Sequence, residues 1–222
     1  MSEAVSNETT EICFGQLVKG RRGVTYRPEH LSEGPDESTI TLLRATNIQG
    51  GVLTFEDVQF VPMAIVSASQ LLEYGDIAVC MSNGSRALVG KSASYRETQL
   101  KAHTVGAFCS LFRPVDKIDR EFVLHLFRSQ AYQASVETAL AGSAINNLKN
   151  SDIEDVRLRL PSRATWSRIA AILTSLDTAG EQVVHQPGLD LLVLLDQRFG
   201  LFNRGVEAGE DGSDAGPCRT TR

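Results

Sequence analysis

The chain has 222 residues, 42% of them hydrophobic, and a net charge of −5, so it can bury a sizeable core as one large domain or a domain with an appendage. It is not a general polycation, and no apolar run reaches the roughly 18 residues of a membrane span. Cys13, Cys80, Cys109 and Cys218 stand far apart without a CxxC pair, which argues against a zinc site and fits a reduced, cytoplasmic chain in which Cys80 and Cys109 are packing thiols.

The acidic excess sits at the two ends. Glu3, Glu8 and Glu11 precede Ile12 with no base among them, and Glu207, Glu210, Asp211 and Asp214 follow Arg204 against Arg219 and Arg222. Residues 12–204 therefore balance 20 bases against 20 acids. A neutral body can carry a basic face, but its binding to DNA should be weak unless a partner adds phosphate contacts.

Residues 1–11 are polar and acidic, unlike a signal peptide, and read as a disordered leader. Phe14 to Lys19 is a short apolar segment. The loop Gly20 to His30, GRRGVTYRPEH, follows; Pro28 bars regular helix there, and Arg21, Arg22 and Arg27 are candidate phosphate contacts or simply solvated loop arginines. Thr39 to Ala45, Val52 to Phe55 and a piece ending at Phe60-Val61-Pro62 read as strands. Arg44 and Asn47, where a strand meets a turn, are either base-reading groups or a salt bridge and a turn asparagine. Ala64 to Leu72 is a short helix or an extended lead-in.

Tyr74 to Ala93, YGDIAVCMSNGSRALVGKSA, reads as strand, tight basic loop, strand. Ile77, Val79 and Met81 alternate with Ala78 and Cys80, and Asn83-Gly84 is a hairpin signal because the favoured turn needs positive φ. Such a tip fits a nucleic-acid groove, although Asn-Gly turns are also common without function. The segment is no P-loop: five residues separate Gly84 from Gly90, and more strand follows. Thr104 to Phe112 is a further strand, so residues 12–115 predict a β-rich, partly closed sheet or barrel-like body.

From Asp119 the period becomes helical. Phe122, Val123, Leu126, Phe127, Tyr132, Val136 and Leu140 share one face of a long helix capped by Asp119 and stopped by Gly142. An asparagine-rich turn, a short helix capped by Ser151 and a strand from Val156 to Leu160 follow. Trp166, Ile169, Leu173, Leu176 and Val183 then form a narrow seam, and Pro187-Gly188 breaks the helix. Leu189, Leu192, Leu195, Phe199 and Phe202 make a second amphipathic helix, so the pair is a hairpin closing on its own domain or an exposed arm for another chain. Two large apolar faces beyond a complete β domain favour the arm. Residues 205–222 lack core-forming content. No GxSxG elbow, HExxH motif, metal-spaced histidines or glycine-rich cofactor loop in a βαβ unit is present, so the residues carry no catalytic candidate.

GDIAVCMSNGSRALVGKSA, the helix from Asp119, GSAINNLKNSDIEDVRLRLP and RIAAILTSLD, in that order, resemble one half of a specificity (S) subunit of a type I restriction–modification system. GVTYRP and LFNRGVEAGEDG are similar to that family's segment boundaries, and the resemblance runs from about Gly15 to Gly212. It implies an α+β fold: a β-rich target recognition domain with packed helices over residues 12–160, then a helical coiled-coil spacer arm over 161–204.

On this resemblance the chain reads half of a bipartite site in double-stranded DNA. The methyltransferase (M) subunits supply catalysis with S-adenosylmethionine, the restriction (R) subunit acts indirectly, and this chain binds no cofactor. An S subunit has two recognition domains and two spacers where this chain has one of each, so the resemblance implies a homodimer or pairing with a second half subunit. A homodimer would read an inverted repeat. The expected DNA contacts are Asn83, Ser85 and Arg86 at the tip, Lys91 behind it, Arg21, Arg22, Tyr26 and Arg27 in the first loop, then Arg44 and Asn47. The expected partner or dimer interface is Trp166, Ile169, Leu173, Leu176, Leu189, Leu192, Leu195 and Phe199. A module that docks M subunits without reading DNA is the alternative.

Overall fold

The computed structural model describes residues 9–98, 101–117, 119–143 and 145–181. Its centre is a six-stranded mixed sheet. In spatial order the strands are β2 (Val18–Arg22), β10 (Cys109–Pro114), β7 (Ile77–Cys80), β8 (Ser92–Ser94), β5 (Val52–Leu53) and β4 (Ile48–Gln49). Only β5 and β8 pair in parallel within it. A three-stranded sheet has β3 (Thr39–Leu43) between β6 (Gln59–Pro62) and β9 (His103–Val105), with β3 and β9 parallel. A separate antiparallel ribbon joins β1 (Thr9–Cys13) to β11 (Arg157–Pro161).

All four residues of β7 are buried because both faces of the sheet are covered. Its alternation sorts side chains between two cores. Ile77, Val79 and Met81 enter the larger one with Phe14, Phe112 and the helical residues. Ala78 and Cys80 enter the smaller one with Leu43, Ala93, Tyr95, Val105 and Leu111. A third, small cluster of Val24, Leu42 and Val61 lies under the segment after β2.

The helices are α1 (Phe14–Leu17), α2 (Arg120–Leu126), α3 (Gln130–Ala141), α4 (Asn150–Glu154) and α5 (Arg163–Glu181). The long helix expected from Asp119 is thus two. Ser129 divides them: its Oγ donates to Leu126 O at 2.7 Å and accepts from Tyr132 N at 3.2 Å, closing one helix and capping the next. Asp119 stands at the α2 N-cap as expected, its main-chain oxygen accepting from Val123 N at 2.8 Å, but its side chain makes no cap bond and instead binds Arg163. Lys149, not Ser151, stands at the α4 N-cap, where its N–H donates to Asp152 Oδ2 at 2.8 Å.

Other expectations also change. Strand begins at Thr9, inside the segment read as a leader, because β11 offers a pairing edge. The run Thr104 to Phe112 is two strands turned at Gly106–Phe108, with Cys109 N donating to Gly106 O at 2.8 Å. Arg21 and Arg22 lie on β2, not in a loop. β7 and β8 pair as expected, but Asn83-Gly84 is not their turn: neither has positive φ, and residues 81–91 connect the strands through a 3-10 turn at Arg86–Leu88. The positive φ falls at Gly90 (+85°), where an added Cβ would meet Val136 Cγ1 at 2.6 Å.

The first half of the expected spacer seam is used inside this chain. Trp166 is 3% exposed and stacks on Phe122 of α2, ring centroids 4.7 Å apart and 14° from parallel. Trp166 Nε1 donates to Pro161 O at 2.8 Å, and Ala170 and Leu173 are buried in the same core. Arg163 ties the start of α5 to Asp116 and Asp119 beside α2. Trp166 and Leu173 are therefore core side chains, which corrects their assignment to a partner interface; Ile169 packs half-buried against that core and Leu176 is half-buried. Leu189, Leu192, Leu195 and Phe199 lie outside the described residues.

Candidate nucleic-acid interface

Three segments meet near the ends of β7, β10 and β2 and enclose an open concavity of about 800 Å³. They are Ser82-Asn83-Gly84 after β7, Ala107-Phe108 between β9 and β10, and Ile145-Asn146-Asn147 between α3 and α4. Arg22, at the end of β2, and Thr25 complete the lining.

Main-chain bonds fix the three segments to one another. Phe108 O accepts from Met81 N at 2.8 Å and Ser82 N at 3.1 Å, and Met81 O accepts from Leu148 N at 2.7 Å. Ser82 bridges Asn147, and Asn83 N donates to Asn146 O at 3.3 Å. Side chains close the remaining gaps. Asn146 Nδ2 donates to Gly84 O at 3.1 Å, while Arg22 donates to Leu148 O at 3.2 Å and to Asn147 Oδ1 at 3.5 Å. Asn83 Oδ1 accepts from Ser85 N at 2.9 Å, a local Asx turn. Next to Arg22 the main chain is closely packed: a Cβ on Gly23 would press on Gly106 O and Val105 O.

Asn83 and Arg22 are therefore brought together. Ser85 and Arg86 lie on the exposed part of the connection, with an Arg86 Nη donating to Glu137 O at 3.3 Å. Lys91 is exposed beyond Gly90. Arg21 is exposed opposite Leu111, on the other face of the edge strand from Arg22. Arg27 is exposed beside Glu29, 3.6 Å away.

Three candidates are engaged internally. Tyr26 Oη donates to Gln59 Oε1 at 2.6 Å and the ring packs on the Val24 cluster. Arg44 pairs with Asp57 at 2.6 Å. Asn47 is 2% exposed, its Oδ1 accepting from Arg44 N at 2.8 Å and its Nδ2 donating to Glu56 O at 2.8 Å. This geometry supports the ion-pair and turn reading of Arg44 and Asn47.

The sequence reading missed Phe108, Ile145, Asn146 and Asn147 as lining residues. The asparagine-rich turn was visible, but nothing local indicates that it folds against residue 82. Beneath the site Cys80 and Cys109 face each other across β7 and β10, both buried and free. Burial raises the Cys80 thiol and pushes Cys109 up to about 12, with Cys80 adding to the latter shift, so both are packing groups rather than nucleophiles. Among the described residues no three His, Cys, Asp or Glu side chains converge as a metal site, and no helix is long and apolar enough to cross a membrane.

No family model matches the chain. It is 35% identical over 155 residues to the specificity subunit of the type I restriction enzyme StySPI from Salmonella potsdam and, equally, to that of EcoKI from Escherichia coli K12. The match takes in 70% of this chain and 33% of each relative, so the chain spans about a third of the length of the curated relatives it matches. Solved structures of low sequence identity share the fold. One is the HsdS subunit from Thermoanaerobacter tengcongensis (15% identity, TM-score 0.56, 86% of this chain and 43% of that one). Another is the type I S subunit from M. genitalium (14%, TM-score 0.54, 91% and 48%). A third belongs to a structural study of complex assembly and conformational transition in a type I R-M system (15%, TM-score 0.58, 90% and 44%). Over its matched 155 residues, the chain belongs with the specificity subunits of type I restriction enzymes.

Proposed function

We propose that this chain is a sequence-reading module of a type I restriction–modification complex: it recognises part of a split site in double-stranded DNA and performs no chemistry itself. The 35% identity to two specificity subunits carries this reading. The rigid concavity supports it. Amides from Asn83, Asn146 and Asn147 match the mixed donors and acceptors of base edges, and Arg22 adds positive charge. Asn83 is the reading group retained from the hairpin; Ser85, Arg86 and Lys91 flank it, and Arg21 and Arg27 serve phosphates. Arg44, Asn47 and Tyr26 act by holding the domain together.

Methylation of adenine with S-adenosylmethionine belongs to M subunits, and cleavage to the R subunit, in the cytoplasm. Residues 161–204 act as the spacer that docks M and pairs two recognition units, with the start of α5 anchoring it to the domain. Mapping methylated adenine genome-wide, in cells carrying a type I methyltransferase with and without this chain, tests the proposal. A new split motif dependent on the chain is the expected result. An inverted repeat identifies a homodimer and an asymmetric motif a second type of half. An unchanged methylation pattern refutes sequence reading.

A further inference from the structure

Phe108 is 69% exposed and Ile145 66% exposed, and both line the same concavity as the three asparagines. An aromatic ring held open to solvent contributes little to this fold. Its backbone is nevertheless fixed, since Phe108 O accepts two hydrogen bonds from Met81 N and Ser82 N and the turn is closed by Cys109 N on Gly106 O. The ring thus stands on a rigid tip, which suits a contact with something outside the chain. The neighbouring amides are each half used. Asn146 spends Nδ2 on Gly84 O, leaving Oδ1 as an acceptor without a partner among the described residues. Asn147 spends Oδ1 on Arg22, leaving Nδ2 as a donor.

In the major groove, adenine presents an N6 donor beside an N7 acceptor, and its thymine partner presents a methyl group. No other base pair combines that donor–acceptor order with an apolar contact. We propose that the concavity reads an A·T pair through the major groove, with Phe108 against the thymine 5-methyl group and Asn146 and Asn147 on adenine N6 and N7. The inference rests on the DNA reading above and adds the base identity and the residues that select it.

The test is selection of duplexes from a random pool by the full chain assembled with type I methyltransferase subunits, followed by the same selection with Phe108→Ala. The wild-type motif should contain an A·T position at which Phe108→Ala lowers the preference about tenfold, the scale of one base contact. Replacing that thymine by uracil removes only the methyl group. It should weaken the wild-type complex about fourfold and leave the Phe108→Ala complex unchanged. Asn146→Ala should relax the same pair, whereas Val115→Ala, 58% exposed at the far end of β10, should not. Phe108→Ala should keep the wild-type unfolding midpoint, so a lost preference reports recognition. A wild-type motif that Phe108→Ala leaves intact, or alters only at G·C, overturns the inference while sparing the DNA reading. Failure of the wild-type assembly to select any motif overturns both.

Discussion

Truncating Trp166 to alanine decides whether α5 is part of this fold or an arm waiting for a partner. Trp166 is 3% exposed, stacked on Phe122 at 4.7 Å, and bonded through Nε1 to Pro161 O. A tryptophan of this kind buries roughly 200 Å², worth about 5 kcal/mol as an upper bound at 25 cal/mol/Å². Measured truncations of large aromatics cost about 3–5 kcal/mol, so a loss of about 4 kcal/mol is expected. Trp166→Phe preserves a ring for the stack and loses the N–H bond, for a cost of about 1–2 kcal/mol. With a urea slope of about 2 kcal/mol/M, the alanine variant should unfold about 2 M earlier by circular dichroism. The wild-type emission reports the same site, because Trp166 is the sole tryptophan of the chain. If the midpoint moves by less than about 0.5 M, intramolecular packing of α5 is refuted.

Gly23→Ala should cost about 3 kcal/mol in thermal unfolding, because its Cβ would press on the main-chain oxygens of Gly106 and Val105. Gly34→Ala, with open space around it, should stay within about 0.5 kcal/mol. His103 is buried beside Tyr95, with Nδ1 and the Tyr95 hydroxyl 2.8 Å apart, and burial lowers its pKa from the ordinary 6.5. Its depressed folded pKa stabilises the fold above pH 6.5, and that contribution is lost as the pH falls toward the folded value. Urea midpoints at pH 7.5 and 5.5 should therefore separate more for wild type than for His103→Gln. Arg21→Ala should weaken binding to every duplex and reduce the salt slope by about 1, whereas Arg86→Ala should change sequence preference. Anisotropy titrations at several salt concentrations measure both; unchanged affinity and preference for Arg86→Ala would remove that residue from the reader.

Legibility followed the range of the interactions involved. IAVC betrays a strand locally, and the β7–β8 pairing follows from two apolar runs close in sequence. The break at Ser129 is hidden, because Phe122 through Leu140 keeps a helical period across it and only the hydroxyl's choice of partners ends α2. Likewise, Thr104 to Phe112 is an almost unbroken apolar run, yet Gly106 and Phe108 turn so that β9 can join β3 while β10 joins β7 and β2. Periodicity identified the Trp166–Leu173 stripe but could not say what covers it. That is fixed by Phe122, 44 residues earlier.

The site was half legible for the same reason. Asn83 announces itself through turn chemistry, and arginines through charge. The groups that turn a loop into a reader announce nothing: Phe108 looks like strand filling, and Asn146-Asn147 looks like a turn. Only the long-range bridge of Ser82 to Asn147 and the bonds of Met81 and Ser82 to Phe108 O assemble them. The same comparison separates Asn47 from Asn146. Both sit in turns, but Asn47 has each end of its amide committed to neighbouring main chain, so it stabilises a turn. Asn146 has one end committed and one without a partner among the described residues, beside an exposed ring. A side chain anchored at one end and unspent at the other is what a recognition surface requires, since the anchor limits the entropy lost on binding and the unspent end supplies the contact.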